Sequence, residues 1–232
     1  MSAAESRYGI AVDPDFSGEE PRLILVWAEG LPGCPSREGP SPYLAELLER
    51  VRSRGEAFLS PERKAAVRSM LRFGSYKPAG RAKPSSEYLL AAALDGSFPF
   101  VNGPVDANNA VSLEWGYPAS VFDAALTGPE LLVRRGLAGE SYVFNRSGQT
   151  IDLADLLLVC RCAPGPGQGW EPCGNPVKDA MATKVFEACR AAVAVVYAPA
   201  SEPRANLGAC AERFASLLRE DCGAAEVGYR IL

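Results

Sequence analysis

Between Asn102 and Asp123 the chain sets Asn102, Asp106, Asn108, Asn109, Ser112 and Glu114 among Val105, Val111, Leu113 and Trp115. Amides and carboxylates in such apolar company need hydrogen-bond partners if they are buried. Two arrangements meet that need. The groups can satisfy one another and the backbone, as in an ordinary capped helix between two turns. Alternatively they can line a pocket that holds a polar substrate. Ser120 and Asp179 lie further along, so Asn102, Asp106, Asn109, Ser120 and Asp179 make a polar set that a fold could gather into one site. A second feature lies upstream. From Pro61 to Pro84 seven cations (Arg63, Lys64, Arg68, Arg72, Lys77, Arg81, Lys83) face the single acid Glu62. That segment carries +6 in a chain of net charge −4, which leaves −10 for the rest. With Phe73 and Tyr76 interleaved, it reads either as a phosphate-contacting surface or as a solvated helix face followed by a linker.

Several chemistries are excluded. Histidine is absent, which removes Ser-His-Asp and Cys-His pairs and the HExxH zinc site. Proton transfer near neutral pH then falls to carboxylates, Lys, Tyr, Cys or a bound water. Cys160-x-Cys162 with Cys173 matches no standard zinc spacing, so no metal is expected. Gly165, Gly167 and Gly169 have no helix opening behind them, and no Walker-type loop occurs, so no nucleotide cofactor is expected either. The seven cysteines are odd in number and include no CxxC, which reads as reduced thiols. No apolar run approaches the roughly 20 residues that a bilayer requires. Met1 to Asp15 shows no charged-then-apolar leader pattern, so a cytoplasmic location is expected. The acidic total argues against a general nucleic-acid coat.

The elements that must position these residues follow from periodicity and punctuation. Tyr8–Val12 and Arg22–Ala28 read as strands, the second buried on both faces. Ser41-Pro42 starts a first helix that runs to about Arg54 on Leu44, Leu47, Leu48 and Val51. Ser60-Pro61 starts a second, ended by Gly74, and Ser85 or Ser86 caps a third over Glu87–Asp95. Asp106 is read as the N-cap of a short helix towards Trp115, with Gly116 and Pro118 as its stop. Glu130–Arg135, Ser141–Asn145, Gln149–Asp152 and Leu156–Arg161 read as successive strands, with a hairpin turn at Arg146-Ser147-Gly148. Ala163–Pro176 reads as a loop, Thr183–Arg190 as a short helix and Val193–Tyr197 as a buried strand. A last helix spans Pro203–Asp221 and a last strand Ala225–Leu232. Helices and strands mix without βαβ regularity, which gives an α+β fold with a mixed, largely antiparallel sheet flanked by helices.

Three segments carry a resemblance. Arg68–Leu90, Val101–Asn109 and Gly116–Asp123 resemble the B-three/B-four editing domain of the phenylalanyl-tRNA synthetase beta subunit, and its free-standing relatives above all. The match covers about residues 60–200, with 1–59 as a strand-helix extension and 201–232 as a completing helix and strand. The family's Val-Asp-x-x-Asn pattern falls on Val105, Asp106 and Asn109, and its Gly-x-Pro-x-x-x-Phe-Asp pattern on Gly116, Pro118, Phe122 and Asp123. Its histidine position is Ser120 here, and its late-strand glutamate position falls at Val196.

The resemblance implies a trans-acting factor that hydrolyses mischarged aminoacyl-tRNA, not a complete synthetase. The expected alternatives are a non-catalytic tRNA or RNA binder, and an amino-acid-binding protein without RNA. The expected partner is tRNA or aminoacyl-tRNA, with neither DNA nor a membrane. Asp179, which orients water, and Asn109 are then the expected catalytic residues. Asn102, Asp106, Asn108 and Ser120 are expected to hold the amino acid, and Arg68, Arg72, Lys77, Arg81 and Lys83 the acceptor end. A water positioned against the ester, assisted by the terminal ribose 2′-hydroxyl, would supply the chemistry.

Overall fold

The computed structural model describes residues 7–163 and 169–232. Gly165 and Gly167 therefore lie outside the described residues. The chain order is β1 (Gly9–Val12), β2 (Arg22–Glu29), α1 (Pro42–Arg54), α2 (Pro61–Leu71), α3 (Ser85–Leu94), α4 (Gly103–Trp115), β3 (Ala119–Asp123), α5 (Ala124–Thr127), β4 (Glu130–Arg135), β5 (Ser141–Val143), β6 (Thr150–Asp152), β7 (Leu157–Cys162), β8 (Trp170–Gly174), β9 (Ala191–Ala198), α6 (Arg204–Glu220) and β10 (Glu226–Ile231). The fold is α+β. One four-stranded sheet has the order β10-β2-β9-β3 and is antiparallel throughout. The other, β1-β4-β7-β8, pairs β1 with β4 in parallel and the rest antiparallel. β5 and β6 form a separate hairpin.

Burial explains the first sheet. Leu23, Ile24, Leu25 and Val26 of β2 have no solvent exposure, and neither do Val195, Val196 and Tyr197 of β9. Two adjacent strands apolar on both faces must be covered on both sides. α6 packs on β2 and β10 through Leu207, Cys210, Phe214 and Leu218, and α4 bridges α6, α3 and β3. The cap signals at Ser41 and Ser60 act as read: their hydroxyls accept from the Leu44 and Arg63 amides.

The structure differs from the sequence reading in five places. Helix α4 begins four residues earlier than expected. Its N-cap is Asn102, whose side chain accepts from the Val105 amide, while Asp106 sits inside the first turn. The serine cap expected for α3 is absent: Pro84 holds the cap position, and the Ser85 and Ser86 hydroxyls have no hydrogen-bond partner. The segment read as a loop contains β8, whose Pro172 is tolerated because β8 is an edge strand. The helix expected over Thr183–Arg190 is only a 3₁₀ turn at Met181–Thr183. Beyond it, backbone carbonyls serve distant partners instead of a helical ladder. Val185 O accepts from Asn102, and Glu187 O accepts from the Cys34 amide. Strand β3, unread in the sequence, pairs with β9 and leads out of the Gly116 turn. No helix among the described residues is long and apolar enough to cross a membrane.

Candidate functional site

A cavity of about 690 Å³ opens between the N-terminal half of α4, the start of β3 and the irregular segment between β8 and β9. Three amides of α4 line it, each held differently. Asn102 is buried and fully engaged: Oδ1 caps the helix, and Nδ2 donates to Val185 O at 3.0 Å. It ties the helix start to the opposite wall. Asn108 is buried too, and Nδ2 donates to Ala119 O at 3.2 Å. That bond fixes the amide's orientation, because only its NH₂ can serve a carbonyl. Asn108 Oδ1 is thereby left buried with no hydrogen-bond partner. Asn109, one residue on, is half-buried and also lines the cavity.

The far wall supplies the acid. After β8 the Asn175 side chain accepts from the Val177 and Lys178 amides at 2.8 and 2.9 Å, an Asx turn. Its Nδ2 donates to the Tyr142 hydroxyl at 2.6 Å, which in turn donates to Lys178 O at 2.6 Å. This network sets the course of the chain into Asp179. The Asp179 Oδ1 atom is buried without a hydrogen-bond partner. Burial pushes the carboxyl up from 3.8 to about 7, against the pull of the Ser120 hydroxyl and the Lys184 ammonium. Burial acts on the basic neighbour in the opposite sense: Lys184 is pushed below the ordinary lysine range, while Asp179 raises it. The Tyr142 and Tyr197 hydroxyls are held well above the usual phenol range, first by burial and then by the Asp179 charge. At neutral pH they are donors and not bases.

Cations ring the mouth. Lys184 Nζ donates to Phe144 O at 2.6 Å, Lys178 Nζ stands 4.0 Å from the Phe144 ring centroid, and Arg146 lies over the Phe186 ring. A second hollow of about 510 Å³ adjoins the first and shares Asn145, Val177, Lys178, Asp179 and Lys184 with it. Arg81 and Lys83 line this second hollow. One end of the basic segment therefore shares a rim with the amide-lined cavity.

Of the residues expected at the site, Asn102, Asn108, Asn109 and Asp179 come together in one cavity. Two do not reach it. Asp106 is buried outside the lining, and its Oδ1 accepts from the Val101 amide at 2.8 Å, which fastens the turn before α4. Ser120 is fully buried behind the cavity wall, 2.9 Å from the Tyr197 hydroxyl. Its hydroxyl favours the ionised form of Asp179 from behind the lining. The cations divide as well. Arg68 is closed against Glu87 by two bonds of 2.7 and 2.5 Å. Arg72 and Lys77 are exposed but line neither hollow.

Sequence reading missed Tyr142, Asn145, Arg146, Asn175, Lys178 and Lys184. Only Asn175-Pro176 carried a local signal, that of an Asx turn; the others are assembled from a hairpin and a segment remote in sequence. Among the described residues no cluster of three His, Cys, Asp or Glu side chains could hold a metal ion. No family model and no curated protein matches the chain.

Proposed function

We propose that this protein binds the acceptor end of aminoacyl-tRNA and hydrolyses the ester of a misattached amino acid. The observation that carries the reading is the Asp179 carboxyl. It is buried in a cavity wall, raised to about 7, and faces a chamber ringed by Lys178, Lys184 and Arg146. A carboxylate half-ionised at neutral pH is suited to take and return a proton. Asp179 accepts a proton from a water whose oxygen bonds to the ester carbonyl carbon. The Asn109 amide donates to the oxygen that gains charge, and the orphaned Asn108 Oδ1 accepts from the substrate ammonium. The tetrahedral adduct then breaks its bond to the ribose 3′-oxygen, which takes the proton back from Asp179. Free amino acid and uncharged tRNA leave. Aminoacyl esters are activated, so positioning a water supplies much of the acceleration.

Incubation with a panel of mischarged tRNAs tests the proposal. Release of at least one amino acid faster than in buffer is expected, with Asp179→Asn slower by about 100-fold or more. If no charged tRNA is cleaved faster than in buffer and Asn109→Ala changes nothing, the hydrolytic reading fails. The replacement of the family's histidine and glutamate positions by Ser120 and Val196 favours a second reading, a non-catalytic tRNA binder. It predicts salt-sensitive tRNA binding with no turnover.

A further inference from the structure

We propose that the second hollow is a nucleotide subsite that seats the unpaired 3′-terminal nucleotide of an RNA, with Tyr88 as the stacking platform for its base. The inference rests on the reading above for its substrate, but on different residues. Tyr88 stands on α3 with 62% of its surface exposed, and its hydroxyl makes no hydrogen bond among the described residues. It lines the hollow beside Lys83, whose Nζ lies 5.9 Å from the ring centroid. Arg81, Lys83 and Lys178 take part in no ion pair among the described residues, in contrast to Arg68. An open ring bordered by unneutralised cations is the pattern that binds single-stranded nucleic acid, the ring for a base and the cations for phosphate.

The hollow's size limits the occupant. About 510 Å³ accommodates one nucleotide and not a duplex. A base inside a helix is already stacked on both faces, whereas an unpaired terminal base can splay out and stack on a protein ring. Position supplies the functional link. Asp179 and Lys184 belong to both walls, so the ribose of a nucleotide stacked on Tyr88 lies at the boundary. An ester on its 3′-oxygen then projects towards the Asn108 and Asn109 amides. Recognition of this kind ignores the body of the tRNA.

The test uses the full chain with a 5′-labelled CCA trinucleotide, AMP and a blunt RNA duplex as probes, alongside steady-state hydrolysis of a charged tRNA. Wild type is expected to bind CCA more tightly than AMP and to leave the duplex unbound. Tyr88→Ala should weaken CCA binding about tenfold or more, and Tyr88→Phe should retain it. In hydrolysis, Tyr88→Ala should raise KM by a similar factor with kcat unchanged. If Tyr88→Ala leaves both CCA affinity and KM unaltered, the subsite is refuted even though hydrolysis stands. If CCA binding depends on Tyr88 but no charged tRNA is cleaved, the subsite stands and the hydrolytic reading falls. Equal affinity for AMP and CCA overturns the RNA-end assignment in favour of a free nucleotide.

Discussion

Asp179 is where burial and charge conflict most directly. Its ordinary carboxyl value of 3.8 rises to about 7 because the cavity wall withholds water from the ionised form. Between those two values the folded state holds a proton that the unfolded chain has released. Unfolding therefore becomes easier as pH rises through that window, and the penalty is constant above it. Asp179→Asn removes the conflict. Its melting temperature should match wild type near pH 4 and exceed it at pH 8, by on the order of 1–3 kcal/mol of stability. Equal pH dependence in the two proteins would show that the carboxyl is not strained. Under the proposed hydrolysis, kcat/KM of wild type should rise through a limb near pH 7 as the base deprotonates.

At the scale of elements, the start of α4 joins the two walls of the cavity. Asn102 caps the helix and holds Val185 O through its other end. Asn102→Ala loses the cap and strands a buried carbonyl, at a cost of about 2 kcal/mol. Asn102→Asp keeps the cap but not the donor, so urea unfolding should place it between Ala and wild type. At the opposite end Gly116 takes φ +73, the left-handed stop that its place in the sequence required. Gly174, the last residue of β8, has a different reason to be glycine. A Cβ there would stand 2.7 Å from Asp179 Oδ1 and collide with the ring of fully buried Phe122. Gly174→Ala should destabilise by about 1–3 kcal/mol, and it should displace the carboxyl enough to reduce hydrolysis further than stability alone explains. Activity that merely tracks the folded fraction would count against this placement.

For the whole molecule, the deciding quantity is which cations remain free. The basic segment carries +6, yet Arg68 is neutralised by Glu87 and Arg63 and Lys64 pair with Glu202 and Glu56. Each phosphate contact contributes about 0.7 to 0.9 to the slope of log affinity against log salt. Arg81→Ala and Lys83→Ala should each lower the slope for tRNA by roughly that amount. Arg68→Ala should leave the slope unchanged and instead remove the ion pair that ties α2 to α3, visible as a lower melting temperature. A slope change at Arg68 equal to that at Lys83 would mean the Glu87 pair opens on binding.

Local patterns in the chain determined the helices with serine-proline starts, the doubly buried β2 and β9, the existence of strands β4 to β7 and the α+β class. Each rests on periodicity or punctuation within a dozen residues, where backbone and burial requirements act directly. The amides of α4 and the acid at 179 were legible as polar groups in an apolar context, which narrows their possible roles. Their assignment was not. Asn108 and Asp106 look equivalent in sequence and each keeps one buried oxygen unpaired, yet only Asn108 lines the cavity, while Asp106 fastens the turn before its helix. Nothing local separates Ser120 behind the wall from Asn109 in front of it, or tells Arg68 from Lys83. Those distinctions arise from partners 19 to 77 residues away, such as Glu87 and Tyr197. Only the folded chain sets which of them arrive, because a polar group's role depends on which of its bonds the protein itself leaves unmade.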